Sequence, residues 1–216
     1  MNARIAIVAL AGAATMVSGC KSEGDIVVEQ GVGITALRSV CPAVGVPEFL
    51  GDVTTFSPAG VRTADAIDVT ASITNVRSQC DDSGAEVYST ATFDVIALRR
   101  NTSGARTVTL PYFSTVVRGG SSVVAKRVGN VTLNFADGQA RAQASGTAGA
   151  VVDRNEATLP ADIRERITRK RSPGEADAAI DPLNQPDVRA AVARATFELL
   201  VGFQLDEDQL AYNATR

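Results

Sequence analysis

The three cysteines are the side chains in this sequence with the clearest scope for covalent chemistry. Cys20 follows residues 5–17, an apolar run rich in Ala, Val and Ile, and Arg4 places a positive charge before that run. A secretory signal begins with positive charge, continues with a short apolar stretch and ends with small residues before the cleavage site. The run is too short to cross a bilayer as a helix. The sequence therefore predicts export, with Cys20 at the processing junction.

The four residues Val17-Ser18-Gly19-Cys20 resemble the lipobox of bacterial lipoprotein signals. In that pathway the thiol is joined to a diacylglycerol, the signal is cut before the cysteine, and the new amino group is acylated. The resemblance implies that residues 1–19 are removed and that residues 20–38 form a lipidated tether on a membrane. Lys21, rather than Asp, follows Cys20. By analogy with enterobacterial sorting, this favours the outer membrane, with the protein facing the periplasm.

Cys41 and Cys80 remain as an even pair once Cys20 carries lipid, and an exported domain folds in an oxidising compartment. A bridge between them closes about 40 residues, which stabilises a fold by about 4 kcal/mol on the chain-entropy model. Two separate buried thiols are the alternative. We expect Cys41 and Cys80 to form a disulfide.

Histidine is absent from the chain. Its absence removes Ser-His-Asp and Cys-His catalysis, zinc sites with His ligands and imidazole acid–base chemistry. The net charge of −3 differs from the basic field of a general nucleic-acid binder, and no pattern indicates a bound metal or cofactor. We expect a non-catalytic protein without nucleic-acid partners. A carboxylate-dependent or Ser/Lys-dependent hydrolase is the less favoured alternative.

Basic residues crowd one short segment near the C-terminus: Arg164, Arg166, Arg169, Lys170 and Arg171. Such a cluster can contact anionic lipid headgroups or the acidic patch of a partner, and each basic residue near a charged surface contributes about 1 kcal/mol. The alternative is a solvated helix face that is partly neutralised by neighbouring acids, and the sequence favours this second interpretation.

Alternation of apolar and polar residues predicts a β-hairpin in the middle of the chain. Residues 66–74 and 87–95 alternate with period two, and Asp81-Asp82-Ser83-Gly84 between them has turn chemistry. The alternation breaks near Asn75, which indicates a bulge before the first strand runs out at Cys80.

Three further strands follow in residues 107–117, 122–135 and 139–152, separated by glycine-rich turns. Pro111 demotes the middle of the first of these to a sheet edge or a bend. Short strands with frequent turn signals predict a mainly β domain over residues 39–216. We expect an antiparallel β-sandwich of the immunoglobulin or fibronectin kind, with about seven strands.

Residues 158–194 interrupt this pattern as a charged helical insertion before the last strand. Ile163 and Ile167 lie one helical turn apart with charges between them, and Pro186 is placed to begin a second helix. Residues 196–205 fit either a strand or a continuation of that helix. The change there to aromatic and branched residues favours a closing strand.

Several fragments together resemble a group of uncharacterised envelope lipoproteins from α-proteobacteria: Cys41-Pro42, Cys80, Leu110-Pro111-Tyr112-Phe113, Leu200-Val201-Gly202-Phe203-Gln204-Leu205 and Gln209-Leu210-Ala211-Tyr212-Asn213. The likeness runs over most of residues 15–216 and is most specific in the two C-terminal strings. It implies an envelope location and a β fold, and it brings no activity and no site residues.

We therefore expect a lipid-anchored envelope protein that presents a periplasmic β-sandwich to a protein partner. The alternative is a protein that binds a small molecule, a lipid or a glycan in a cleft of the sandwich. A core filled with side chains would count against that alternative.

Overall fold

The computed structural model describes residues 39–172 and 174–215, so the predicted signal, Cys20 and the predicted tether lie outside the described residues. The strands are β1 Ala43–Gly45, β2 Asp52–Phe56, β3 Ile67–Asp81, β4 Glu86–Arg99, β5 Arg106–Arg118, β6 Ser122–Phe135, β7 Arg141–Asp153 and β8 Phe197–Phe203. The helices are α1 Arg154–Ala157, α2 Ala161–Thr168, α3 Pro186–Arg194 and α4 Glu207–Thr215. The strands form two sheets, in the orders β2-β3-β4-β7 and β1-β8-β5-β6, and the predicted β-sandwich is confirmed.

Strand β4 shows why the alternating segments form strands. Every second residue of β4 is buried between the sheets, while Tyr88, Thr90 and Thr92 on the other face are exposed. Side chains alternate across a strand, so a period-two pattern buries one whole face. The buried face comprises Val87, Ser89, Ala91, Phe93, Val95, Ala97 and Arg99.

The predicted bulge in β3 is confirmed. The pairing of β3 with β4 shifts register between Thr74 and Arg77, and Asn75 takes a positive φ of 51°. Asparagine tolerates this left-handed conformation better than most residues do. Its side-chain amide donates a 2.8 Å hydrogen bond to Asp94 Oδ2 on the paired strand.

Pro111 does not place β5 at a sheet edge or bend it, so that prediction is wrong. Strand β5 is unbroken and lies between β6 and β8. The β5–β8 pairing ends at Tyr112 and Phe203, and the carbonyl of Pro111 accepts a bond from the Gln204 amide just beyond it. An N–H at residue 111 would point the same way as the Pro111 carbonyl, beyond the end of β8. The β5–β8 ladder has already ended there, so it does not require the N–H that proline lacks.

With strand β1, the described residues contain eight strands, against an expectation of about seven. It pairs in parallel with β8, whereas the other pairings are antiparallel. A strand of three residues is too short to show a period-two pattern, so its sequence carries no signal for it.

Two aromatic rings pack against each other between the sheets. Phe93 and Tyr112 pack edge to face, with ring centroids 5.1 Å apart, and the Tyr112 hydroxyl donates a 2.8 Å bond to the Thr147 carbonyl on the opposite sheet. A Cβ atom at Gly146 would overlap the Phe93 ring, and one at Gly129 would lie 2.7 Å from Tyr112 Cζ. Only glycine leaves room for these rings.

The insertion forms as predicted, with helices α2 and α3 joined by a long loop. Ile163 and Ile167 of α2 pack on Val188 and Ala191 of α3 in a small apolar cluster of their own. The chain then returns to the sheet as β8, so the ambiguity at residues 196–205 is decided in favour of a strand. Strict alternation prevails because Phe197, Leu199, Val201 and Phe203 all face the core.

Candidate functional site

The predicted disulfide is confirmed, and it lies where the described chain begins. Cys41 precedes β1 by two residues, and it is bonded to Cys80 near the end of β3, with the Cα atoms 6.1 Å apart. Strands β1 and β3 belong to different sheets. The bridge therefore fastens the two sheets together at the point of chain entry, and the alternative of two separate buried thiols is wrong.

The start of β6 lies level with this point. Across the second sheet, Ala43 of β1 pairs with Glu198 of β8, Glu198 pairs with Val117 of β5, and Val117 pairs with Val123 of β6. Neighbouring strands are about 4.8 Å apart, so Val123 is about 14 Å from Ala43 across the sheet. We call this end of the sandwich the entry end.

The insertion is attached at the same end. The guanidinium of Arg118, at the end of β5, donates a 2.7 Å bond to the Arg194 carbonyl at the end of α3 and lies 3.4 Å from Glu156 of α1. Just before the insertion, the amide of Arg154 in α1 donates to the Ala85 carbonyl in the β3–β4 turn. The first contact joins an arginine side chain to a backbone carbonyl and the second joins two backbone groups, so the charged segment is held at this end at both of its boundaries.

The basic cluster does not form one free basic face. Arg166 pairs with Asp187 at 2.5 Å, and this hydrogen bond holds the pKa of Asp187 below its ordinary value. Arg169 pairs with Asp177. Arg171 is buried, and its Nη2 donates a 2.9 Å bond to the Arg166 carbonyl.

Two exposed members of the cluster are unpaired: within the part of the chain that the structure describes, Arg164 and Lys170 make no ion pair. Contact of the cluster with an anionic surface stays a prediction, and these two residues are its available charges.

The more conspicuous surface is an exposed part of β6 that the sequence patterns did not single out. Residues 122–128, which we call the edge stretch, are exposed along their whole length. Val123, Val124 and Val128 have 65%, 57% and 61% of their surface exposed. Only residues 131–135 of β6 alternate in sequence, because only that half of the strand lies against the other sheet.

A charge signal was available for this region. Residues 106–135, the β5–β6 hairpin, contain four basic side chains and no acidic one, in a chain whose net charge is −3. Arg106 and Arg118 are paired with acids of other segments, so Lys126 and Arg127 are the hairpin's basic side chains without an ion pair among the described residues. Unpaired basic charge on an acidic protein is typical of a surface that meets negative charge. Lys126 Nζ lies 5.1 Å from the centroid of the Phe113 ring, a cation–π contact.

At the opposite end, which we call the recess end, a polar recess of about 540 Å³ opens to solvent. Asp68 accepts two hydrogen bonds there from the Arg106 guanidinium, at 2.6 and 2.7 Å. These bonds hold the pKa of Asp68 below its ordinary value. The recess is lined by Ser57, Asp65, Ile67, Asp68, Arg100, Asn101 and Arg106.

Replacement of Asp68 by asparagine is expected to lower the free energy of unfolding at neutral pH by about 1 kcal/mol, the size of a well-formed surface pair. Because the pKa of Asp68 is lower in the folded state, this stabilisation is complete above the unfolded value of 3.8 and is lost as pH falls through the folded value. Urea denaturation of both proteins at neutral and acidic pH measures the difference, which should vanish in acid. Asp65→Asn in the same recess is the control, and an acid-independent difference would contradict the prediction.

Among the described residues, no group of three or more His, Cys, Asp and Glu side chains is placed to hold a metal ion. Within residues 39–172 and 174–215, no helix is long and apolar enough to span a bilayer. Comparison with protein-family models, with curated proteins and with solved structures gave no match to this chain.

Proposed function

We propose that this protein is a non-catalytic, lipid-anchored component of the bacterial cell envelope whose β-sandwich is an interaction module for another envelope protein. The observation that carries the proposal is the Cys41–Cys80 bridge at the point where the chain enters the domain. Structural disulfides persist in oxidising compartments, which supports the export that the first 20 residues predict. The bridge also ties the entering chain to both sheets, as suits a domain held by one end.

The proposed lipid anchor would orient the sandwich relative to the membrane. A tether of residues 20–38 spans at most about 65 Å when extended, so it keeps the entry end within that distance of the membrane. The recess end then faces away from the membrane, towards the periplasm. Its exposed charges, Asp65, Arg100 and Arg106, are suited to polar contacts with a partner.

Packing favours an interaction surface over a ligand cleft. The space between the sheets is occupied by large side chains that are almost wholly buried, among them Phe93, Leu133, Phe135 and Phe203. A cleft for a lipid or glycan needs a concave apolar cavity of several hundred Å³. The filled core therefore counts against binding of such a ligand between the sheets.

The anchor is tested by Cys20→Ala in the native host. We expect the wild-type protein to incorporate labelled palmitate and to be processed, and the variant to remain as an unlabelled precursor. The double variant Cys41→Ala/Cys80→Ala is the matched control, because it removes thiols that cannot receive lipid and should keep the label. Normal processing of Cys20→Ala would mean an ordinary secretory signal and would refute the lipid anchor.

The partner is tested with a photo-crosslinking residue at exposed Asp65, at the recess end, and at exposed Ser122, at the entry end. In cells, we expect Asp65 to give a discrete protein adduct, identified by mass spectrometry, and Ser122 to give none. Absence of any adduct above background at Asp65 would overturn the proposal that this end binds a protein.

A further inference from the structure

The edge stretch is an open sheet edge with apolar and basic side chains. Strand β6 is the last strand of its sheet, so in the described part of the chain the backbone groups on its outer side have no strand beside them. Sheet edges of natural proteins are usually short, covered or charged, and exposed valines on an edge are a liability unless something meets them. Here three exposed valines flank Lys126 and Arg127.

Pairing with a strand of another protein molecule does not suit this edge. The β5–β6 register shifts so that Val116 pairs with Ala125 and Val117 with Val123, which leaves Val124 as an extra, bulged residue. Bulges twist an edge and interrupt continuous pairing. Two copies aligned edge to edge would also bring Lys126 and Arg127 of both chains together, and like charges on adjacent strands repel.

An anionic bilayer surface matches the same residues better. It accepts apolar side chains at the boundary between headgroups and acyl chains, and it attracts lysine and arginine to its phosphates. The β5–β6 hairpin brings no acidic side chain that would oppose this attraction. A fluid surface also needs no fixed strand register, so the bulge at Val124 is no obstacle.

The position of the edge stretch completes the argument. Val123 lies level with Ala43 across the sheet. Ala43 is two residues from Cys41, whose disulfide marks the point where the chain enters the domain. We propose that the edge stretch lies on the anionic surface of the bilayer, with Val123 and Val124 at the headgroup boundary and Lys126 and Arg127 on lipid phosphates. The closeness of that bilayer rests on the proposed lipid anchor, whereas the affinity belongs to the folded domain alone.

Because of that independence, the test uses protein without lipid. Residues 20–216 carrying Cys20→Ser are exported with a cleavable signal, so that the disulfide forms, and are sedimented with vesicles. Vesicles of equal parts phosphatidylglycerol and phosphatidylcholine are compared with vesicles of phosphatidylcholine alone. We expect binding to the anionic vesicles only. Lys126→Gln/Arg127→Gln should weaken it about 25-fold, because each basic residue near a charged surface contributes about fivefold.

Arg141→Glu is the matched control for charge. It changes the net charge by the same two units as the double variant, but Arg141 is exposed at the recess end, at the start of β7. This control should keep nearly all of the binding. Equal loss in both variants would mean attraction by net charge alone and would overturn the proposal.

Insertion of the valines is tested by fluorescence, since the chain contains no tryptophan. A single tryptophan introduced by Val124→Trp should shift its emission to the blue when anionic vesicles are added. Leu98→Trp, at a residue that is 53% exposed on β4 near the recess end, should not shift. Shifts in both variants, or in neither, would overturn the proposed orientation.

The outcomes separate this inference from the proposed function. Failure of Cys20 acylation would leave vesicle binding by the unlipidated protein intact. Absence of vesicle binding, with acylation normal, would refute the membrane contact and leave the anchor standing. If the chain instead forms a dimer that Lys126→Gln/Arg127→Gln abolishes or strengthens, the edge stretch is an interface between two copies and the membrane contact is refuted.

Discussion

Replacement of Arg99 by methionine is expected to lower the free energy of unfolding by about 4 kcal/mol. Arg99 is only 3% exposed at the end of β4, and its guanidinium donates four hydrogen bonds to backbone carbonyls, each 2.8 Å long. The acceptors lie in two loops: Thr102 and Gly104 between β4 and β5, and Ala136 and Gln139 between β6 and β7.

The large effect follows from what methionine leaves behind. It has a similar length and is apolar, but it offers no donor to the four carbonyls. The Thr102 and Ala136 carbonyls still accept backbone bonds from the Gly138 and Gln139 amides, so the cost falls mainly on the acceptors at Gly104 and Gln139. The Arg99 guanidinium also lies 5.2 Å from the centroid of the Phe135 ring, so a cation–π contact is lost as well. Arg99 adds four bonds to the two that join the loops directly, Gly138 N–H to the Thr102 carbonyl and Gly104 N–H to Asp137, so both loops should become more accessible to amide exchange without it.

Circular dichroism during urea denaturation measures the effect, and Arg100→Met is the control. Arg100 is the next residue in the chain, is exposed, and donates one side-chain bond, to the Ala64 carbonyl. We expect the control to change stability by about 1 kcal/mol or less. Equal destabilisation by the two substitutions would show that loss of a basic residue is responsible, rather than loss of the four hydrogen bonds from Arg99 to the two loops.

Removal of the disulfide by Cys41→Ser/Cys80→Ser should cost a similar amount, about 4 kcal/mol on the chain-entropy model. The bridge joins residues 39 positions apart in sequence, so it restricts a long loop of the unfolded chain. In the folded state, it holds the three residues of β1 against β8. Without it, we expect faster amide exchange at Val44 and Gly45 than in the core strand β4.

Urea denaturation of the oxidised wild type and of the variant gives the stability difference. Cys20→Ser makes the same chemical change outside the described domain, so it should leave the stability unchanged. Two free thiols in the mature protein under non-reducing conditions, or equal gel mobility before and after reduction, would contradict the bridge.

Local patterns predicted a large part of the fold. The spacing of apolar residues within a few positions predicted the buried faces of β3 and β4, the bulge at Asn75 and the two insertion helices. The prediction that Pro111 places β5 at a sheet edge was wrong, because the effect of a proline depends on the neighbouring strand. Here it depends on how far β8 extends beside β5, and β8 is a distant segment of the chain.

The residues that carry the candidate surfaces were harder to find. Arg99 breaks the apolar pattern of β4 at its last residue, and the sequence does not show that two distant loops supply its acceptors. The edge stretch lacks alternation because it extends beyond the cover of the other sheet. Its run of residues without acids was visible, but charge alone does not indicate which side of the molecule a segment faces.

Chemistry at single residues could be inferred without a structure: a cysteine at a signal junction, an even pair left over, and no histidine for catalysis. The meeting of Cys41, the insertion and the exposed half of β6 at one end of the sandwich was decided only by the tertiary structure. It depends on strand order and register across two sheets, which arise from pairing between segments far apart in the chain. For that reason the residue types at Cys20 predicted anchorage, whereas the surface that would meet the membrane could be recognised only in the folded chain.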